Sequence, residues 1–281
     1  MKLIISKLSG FCNGVNHTIE ETNKILNQND TGNIYCLGEI VHNENVIKKL
    51  ESKGMITVSS LEEVPNHSTV IFRAHGETIH NYELAKNKKL EIIDLTCGRV
   101  KVIHKKIIKH QEDFIIIIGK QNHPEVKGHI SYVKDGIIIS NEEDIKKINK
   151  NKFKKNIYIV AQTTFNEKEF NNLTNLIKKS CNKQKITIDN TICSSTHNRQ
   201  EEVKEISKQA NIMLIIGSST SSNTKELYNI AKVYCKNTYL ISTKEDLDSI
   251  TFDKKDIVGI TSGASTSRDD IEEIINYLKE L

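Results

Sequence analysis

Short, continuous apolar runs alternate with segments of helical spacing along this chain, and the alternation recurs three times. Three buried-looking strands end in glycine: IYCLG at 34–38, FIIIIG at 114–119 and IMLIIG at 212–217. Each is followed four residues later by a polar group, His42 after Gly38, His123 after Gly119 and Ser221 after Gly217. A helix-like segment comes next, then a further strand with a Ser, Thr or Asn helix start: MITVSSLEEV at 55–64, GIIISNEEDI at 136–145 and TYLISTKEDL at 238–247. Another strand then ends in a polar cluster: VIFRAHGE with His75, IYIVAQTTFN with Thr163 and Thr164, and IVGITSGASTS with Ser262, Ser265 and Thr266. Continuous apolar strands alternating with helices predict an α/β chain whose small parallel sheets are covered on both faces.

Each repeat also carries one cysteine just past a strand. Cys12 follows KLIIS, Cys97 follows LEIIDLT and Cys193 follows KITIDNTI, at separations of 85 and 96 residues. A helical pattern follows each: GVNHTIEETNKIL, GRVKVIHKKIIKHQ and SSTHNRQEEVKEISKQ. Ligands of parallel sheets gather at the carboxyl ends of strands, where all these polar groups are predicted to lie. Three such units facing one another, in a pseudo-threefold arrangement, would bring the three thiols to one central cavity. Three convergent thiolates could hold an iron–sulfur cluster with one iron left open, or a zinc ion, or could be unrelated buried cysteines. Cys36, Cys181 and Cys235 are read as structural.

Composition narrows the function classes. The 281 residues suggest two or three domains, and 27% charged residues with a net charge of +4 fit a globular chain. The lysines are scattered, which argues against a nucleic-acid footprint. No apolar run approaches a membrane span and no signal peptide is evident, so a cytoplasmic protein with reduced thiols is expected.

The remaining polar groups suggest the ligand. The stretch SSTSSNT at 218–224 has six hydroxyl residues in seven positions at a predicted helix start, more than a cap needs. Ser221, Ser222, Asn223 and Thr224, with Ser265 and Thr266 from GASTS, are read as a phosphate site. His42, His75 and His123 stand at matched strand ends and could donate to phosphate or relay protons. Glu125, two residues beyond His123, is a candidate acid or base if burial raises its pKa. His17, His104, His110 and His197 default to structure or surface. Neither a P-loop nor a dinucleotide fingerprint occurs.

Together these motifs resemble the 4-hydroxy-3-methylbut-2-enyl diphosphate reductase family. The matching segments are GFCNGV at 10–15, GEIVHN at 38–43, RAHG at 73–76, DLTC at 94–97, NHPEVKG at 122–128, QTT at 162–164, TIC at 191–193, NRQ at 198–200, SSNT at 221–224 and GAST at 263–266. The resemblance implies a [4Fe-4S] cluster on Cys12, Cys97 and Cys193, with the substrate hydroxyl on the open iron. It implies that His42, His75, His123, Ser221, Ser222, Asn223 and Ser265 hold the diphosphate. Glu125 would pass protons to the leaving hydroxyl, with Thr163 orienting that network and His123 beside it. An external electron donor of ferredoxin or flavodoxin type is implied, since the chain shows no flavin or nicotinamide motif. It also implies domains at 13–96, 97–192 and 193–281, the first strand (1–12) joining the last. Two competing readings are a quinolinate synthase-like dehydratase, which would need carboxylate sites, and a non-catalytic phospholigand binder. The chain departs from the family pattern at Gly98 and Ser267, where proline is common, and at His17, where arginine is common.

Overall fold

The computed structural model describes residues 1–28, 32–146, 155–181 and 184–280. Among them the strands form three parallel four-stranded sheets. One orders β3 (Met55–Val58), β2 (Ile34–Leu37), β4 (Thr69–Phe72) and β5 (Glu91–Asp94). A second orders β7 (Gly136–Ile139), β6 (Phe114–Ile118), β8 (Ile157–Ala161) and β9 (Ile186–Ile188). The third orders β11 (Thr238–Ile241), β10 (Ile212–Ile216), β12 (Ile257–Ser262) and β1 (Lys2–Ile5). All three follow one plan, and β1 takes the fourth place in the last sheet, with Lys2 opposite Ile257.

The helices are α1 (Asn13–Gln28), α2 (Glu44–Glu51), α3 (Ile79–Asn87), α4 (Gly98–Lys109), α5 (Pro124–Ser131), α6 (Glu142–Lys146), α7 (Glu167–Ser180), α8 (Ser194–Ser207), α9 (Ser222–Tyr234) and α10 (Arg268–Glu280). The sheet faces explain the unbroken apolar runs. In β6, Phe114, Ile116 and Ile118 pack with Phe170, Leu173 and Ile177 of α7, while Ile115 and Ile117 pack with Ile103 and Ile107 of α4. Alternate side chains leave a strand on opposite faces, so a strand covered by helices on both sides must be apolar at every position. β10 repeats the arrangement, with Leu214 toward α10 and Met213 toward α8 and α9.

The structure trims two expectations. The strands before Cys97 and Cys193 stop early, at Asp94 and Ile188. There the Asp94 and Asn190 side chains accept from the N–H groups of Thr96 and Ile192, at 2.9 and 3.1 Å, and turn the backbone out of the sheet. The helix expected after MITVSS is only a three-residue 3-10 turn, Leu61–Glu63, although the Ser60/Glu63 capping box is formed. Pro65 follows directly and disfavours helical geometry at Val64.

The chain divides into two compact units. The central unit comprises Thr18–Ile40 and Leu50–Cys193 and holds the first two sheets. The terminal unit comprises Met1–His17, Val41–Lys49 and Ser194–Leu281 and holds the third. Among the described residues no helix is long and apolar enough to cross a membrane.

Candidate active site

The three cysteines of the repeat share one backbone anchor. In each case the cysteine N–H donates to the carbonyl two residues beyond the end of the third strand of its sheet. Cys97 donates to Ala74 at 3.0 Å, Cys193 to Thr163 at 2.9 Å and Cys12 to Ala264 at 3.2 Å. A helix follows each one. All three are half-buried, and none of the six cysteines is in a disulfide. Cys36, Cys181 and Cys235 are buried instead, and burial pushes the Cys36 thiol up to about 12. A thiol held neutral is a poor ligand, as expected for structural cysteines.

Cys12 lies in the terminal unit, and Cys97 and Cys193 in the central one. Among the described residues no three His, Cys, Asp or Glu side chains gather closely enough to hold a single metal ion. In the donor set itself, three matched, accessible thiols at strand ends are the soft ligands that iron–sulfur chemistry uses, so the residues present fit such a group.

In the central unit the strand ends of the second sheet build a buried carboxylate site. Glu125 sits in the first turn of α5 and is 2% exposed. Its Oε1 accepts from the Thr163 N–H at 2.6 Å and its Oε2 from the Thr163 hydroxyl at 2.7 Å. His129, one helical turn on, donates Nε2–H to Oε1 at 3.2 Å. The condition named for Glu125 as acid or base, a carboxyl raised by burial, is not the one the structure gives. Burial does push it upward, but the hydrogen bond and charge of His129, the charge of His123 and the Thr163 N–H outweigh that push. Glu125 is held at about 2, so the site presents a carboxylate.

His123 caps α5 through its ring, Nδ1 accepting from the Glu125 N–H at 3.2 Å. That leaves Nε2 as the ring nitrogen facing away from the cap. His75 meets it edge to face, with ring centroids 5.4 Å apart. Glu125 thus meets Thr163 and His129 directly, with His123 at the helix start and the His75 ring against it.

In the terminal unit the site is made of hydroxyls. Ser221 is the N-cap of α9, its side chain accepting from Thr224 N at 3.3 Å. Ser222, Asn223 and Thr224 are buried in the first turn, and the Asn223 Nδ2 and Thr224 Oγ1 atoms have no hydrogen-bond partner among the described residues. A buried amide donor without a partner is costly unless a ligand supplies one. His42 stands 3.5 Å through Nδ1 from Thr220 Oγ1, and its carbonyl accepts from Ser265 at the same distance. Two glycines close over Thr224. Gly217 has φ +141°, which disfavours any side chain, and a Cβ on Gly263 would collide with the Thr224 hydroxyl.

Sequence reasoning missed the residues that brace these sites. Arg199, in NRQ, is buried and donates to the carbonyls of Ser262 at 3.1 Å and Gly10 at 2.7 Å, tying the Cys12 loop to the end of β12. Asn43 donates to Asp270 at 2.8 Å and to the Ser265 carbonyl at 3.3 Å, bracing the GAST turn. His129, read by no motif, proves to be the partner of Glu125. The Asn198-Arg199-Gln200 motif was a signal for Arg199; His129 lies at i+4 from Glu125, a spacing that signals proximity only once the helix is accepted. Two departures from the family pattern are accommodated. Gly98 faces open space, and Ser267 caps α10 by accepting from Asp270 N at 3.1 Å.

The LytB protein family matches residues 3–279. The chain belongs to that family. It is 38% identical over 284 residues to 4-hydroxy-3-methylbut-2-enyl diphosphate reductase of Clostridioides difficile strain 630, covering all of both chains. It is 35% identical over 285 residues to the same-named reductase of Petrotoga mobilis, covering 100% of this chain and 98% of that one. Its fold is similar to the solved E-1-hydroxy-2-methyl-but-2-enyl-4-diphosphate reductase of Plasmodium falciparum, with TM-score 0.92 at 31% identity, covering 99% of this chain and 88% of the other. These LytB relatives are oxidoreductases by name, and the α/β fold with three small parallel sheets is the one the hydrophobic pattern predicts.

Proposed function

We propose that this LytB chain is a cytoplasmic iron–sulfur reductase. Its reaction would remove the hydroxyl of 4-hydroxy-3-methylbut-2-enyl diphosphate as water, using two electrons and two protons, and give isopentenyl and dimethylallyl diphosphate. The observation that carries this reading is the double use of Thr163. Its N–H and hydroxyl both grip Glu125, and its carbonyl receives the N–H of Cys193. One residue thereby joins a proton-handling carboxylate to a thiol of the matched set.

In this reading Cys12, Cys97 and Cys193 hold a [4Fe-4S] cluster. Bound there, the cluster would supply electrons singly and a Lewis-acidic iron for the substrate oxygen. The chain's own residues do the rest. His42, His75, His123, Ser221, Ser222, Asn223 and Ser265 are the residues that would hold the diphosphate. The α9 N-terminus suits an anion because its dipole and open N–H groups favour negative charge, and Asn223 Nδ2 is a buried donor awaiting an acceptor. Glu125 accepts and returns protons, kept in register by Thr163. Electrons come from an external carrier of ferredoxin or flavodoxin type. The reading keeps repeat boundaries at 13–96, 97–192 and 193–281 plus 1–12.

The test is anaerobic purification with iron and sulfide analysis and a visible spectrum, for the natural chain and for Cys97→Ser. The expected result is about four irons per chain, brown absorbance, and loss of both in the variant. Zinc, or no metal, in iron-replete anaerobic protein would overturn the reading.

A further inference from the structure

The central unit buries a second ionisable group against Glu125 that the proposed function leaves without a task. His129 is 0% exposed. Its Nε2 reaches Glu125 Oε1, while its Nδ1 is buried without a hydrogen-bond partner. A buried imidazole with one nitrogen on a carboxylate and the other unpaired is an expensive arrangement for packing alone. The unpaired Nδ1 belongs to a ring packed edge to face against His104 of α4, with centroids 5.1 Å apart. His104 Nε2 is likewise buried without a partner. His104 stacks on Tyr132 at 4.3 Å and lines a surface cavity of about 490 Å³ with Asp94, Lys101 and Lys105. Ionisable groups therefore run from a cavity at the surface to the proposed reaction site.

The charges point the same way. Glu125 is held at about 2, so at neutral pH the carboxyl does not itself carry a proton to give. His104 is pushed down to about 4, first by burial and then by the charge of His129. The groups facing the pair are His123 at the α5 N-terminus and His104 from α4, on which Tyr132 stacks. His75 stands on His123, and Asp94 and Glu77 act on His104 and Tyr132 from behind.

We infer that His129 is a positioning residue that stores the proton Glu125 delivers, so that the buried pair, and not the carboxylate alone, is the proton-handling unit. The Thr163 hydroxyl hands its proton to the leaving oxygen and is reprotonated by Glu125, which takes the Nε2 proton of His129. One N–H bond breaks, one O–H bond forms on the acceptor, and the pair passes from net neutral to a single negative charge. The neutral ring keeps its Nδ1 proton, and a proton returning to Nε2 by way of Glu125 restores the pair. No electrons are moved in these steps.

The inference rests on the proton-handling role of Glu125 in the reading above, and its first test needs no turnover. In the natural full-length chain, ¹⁵N shifts of the His129 ring should report an imidazolium at pH 7, beside an ionised Glu125 carboxyl by infrared absorption. A neutral ring overturns the proposal. In His129→Gln, which keeps a donor but loses the charge, the Glu125 carboxyl should titrate at least about one pH unit higher. The same variant should lose roughly 10²-fold in kcat, the low end for a displaced acid–base group, with KM little changed and the pH profile of kcat reshaped. An unmoved carboxyl titration or an unaltered pH profile overturns it. The ring and carboxyl readouts test the pair without substrate, whereas retained turnover in Glu125→Gln would sink the reductase role of Glu125 instead.

Discussion

The buried site of the central unit and the hydroxyl site of the terminal unit occupy the same place in their sheets, the carboxyl ends of the first and third strands, yet they are built oppositely. Glu125 is charged and saturated, with three hydrogen bonds on two oxygens. The Ser221–Thr224 turn is neutral and leaves two buried polar atoms unpaired. A saturated charge is fixed in position and held ionised. An unsaturated neutral turn holds its capacity open for an incoming anion. One scaffold thus carries two differently built clusters through the residues set four to seven positions past a glycine.

The contrast breaks most sharply at Glu125. Glu125→Gln should lower kcat by about 10²-fold or more while diphosphate binding, followed by calorimetry, stays near the natural value; preserved turnover would remove the proton-handling role. The same substitution tests the charge through pH. The folded carboxyl titrates below its ordinary 4.5, so its stabilisation is present above pH 4.5 and is lost as pH falls toward about 2. The difference in unfolding free energy between the natural chain and Glu125→Gln should therefore be of order 3 kcal/mol near neutrality and vanish at the acid end. A difference that grew with acid would reverse the sign of the argument.

The neutral site should respond more mildly. Gly263→Ala puts a methyl group into the Thr224 hydroxyl and should cost about 1–3 kcal/mol in denaturant unfolding, with a raised KM from the displaced Ser265 turn. Ser221→Ala removes the α9 cap and should cost about 1 kcal/mol, with weaker diphosphate binding and kcat nearly unchanged. If Ser221→Ala instead reduced kcat as Glu125→Gln does, the division of labour between the two sites would fail.

Much of this was legible in the order of the residues. β6 and β10 could be read because a strand buried on both faces must be apolar throughout, and the matched cysteines because each follows a short apolar run, the partly exposed edge strands β1, β5 and β9. Thr163 and Glu125 could be named from the chain, but only the family resemblance joined them. Their contact spans 38 residues of sequence, and no local pattern encodes it. Arg199 and Asn43 escaped for the same reason, since their partners lie 189 and 227 positions away. The shortened strands before Cys97 and Cys193 escaped because the Asp94 and Asn190 side chains compete with the sheet for backbone donors.

What the sequence determined by itself was the threefold βα plan, the placing of polar groups at strand ends and the candidate residues, because period, glycine and capping are local physics. What only the tertiary structure decided was the electrical state of the site. A lone buried carboxyl rises in pKa, yet Glu125 falls, because packing supplies His129, His123 and the Thr163 N–H around it. Ionisation depends on every neighbour in space, and the chain brings those neighbours together only when it folds.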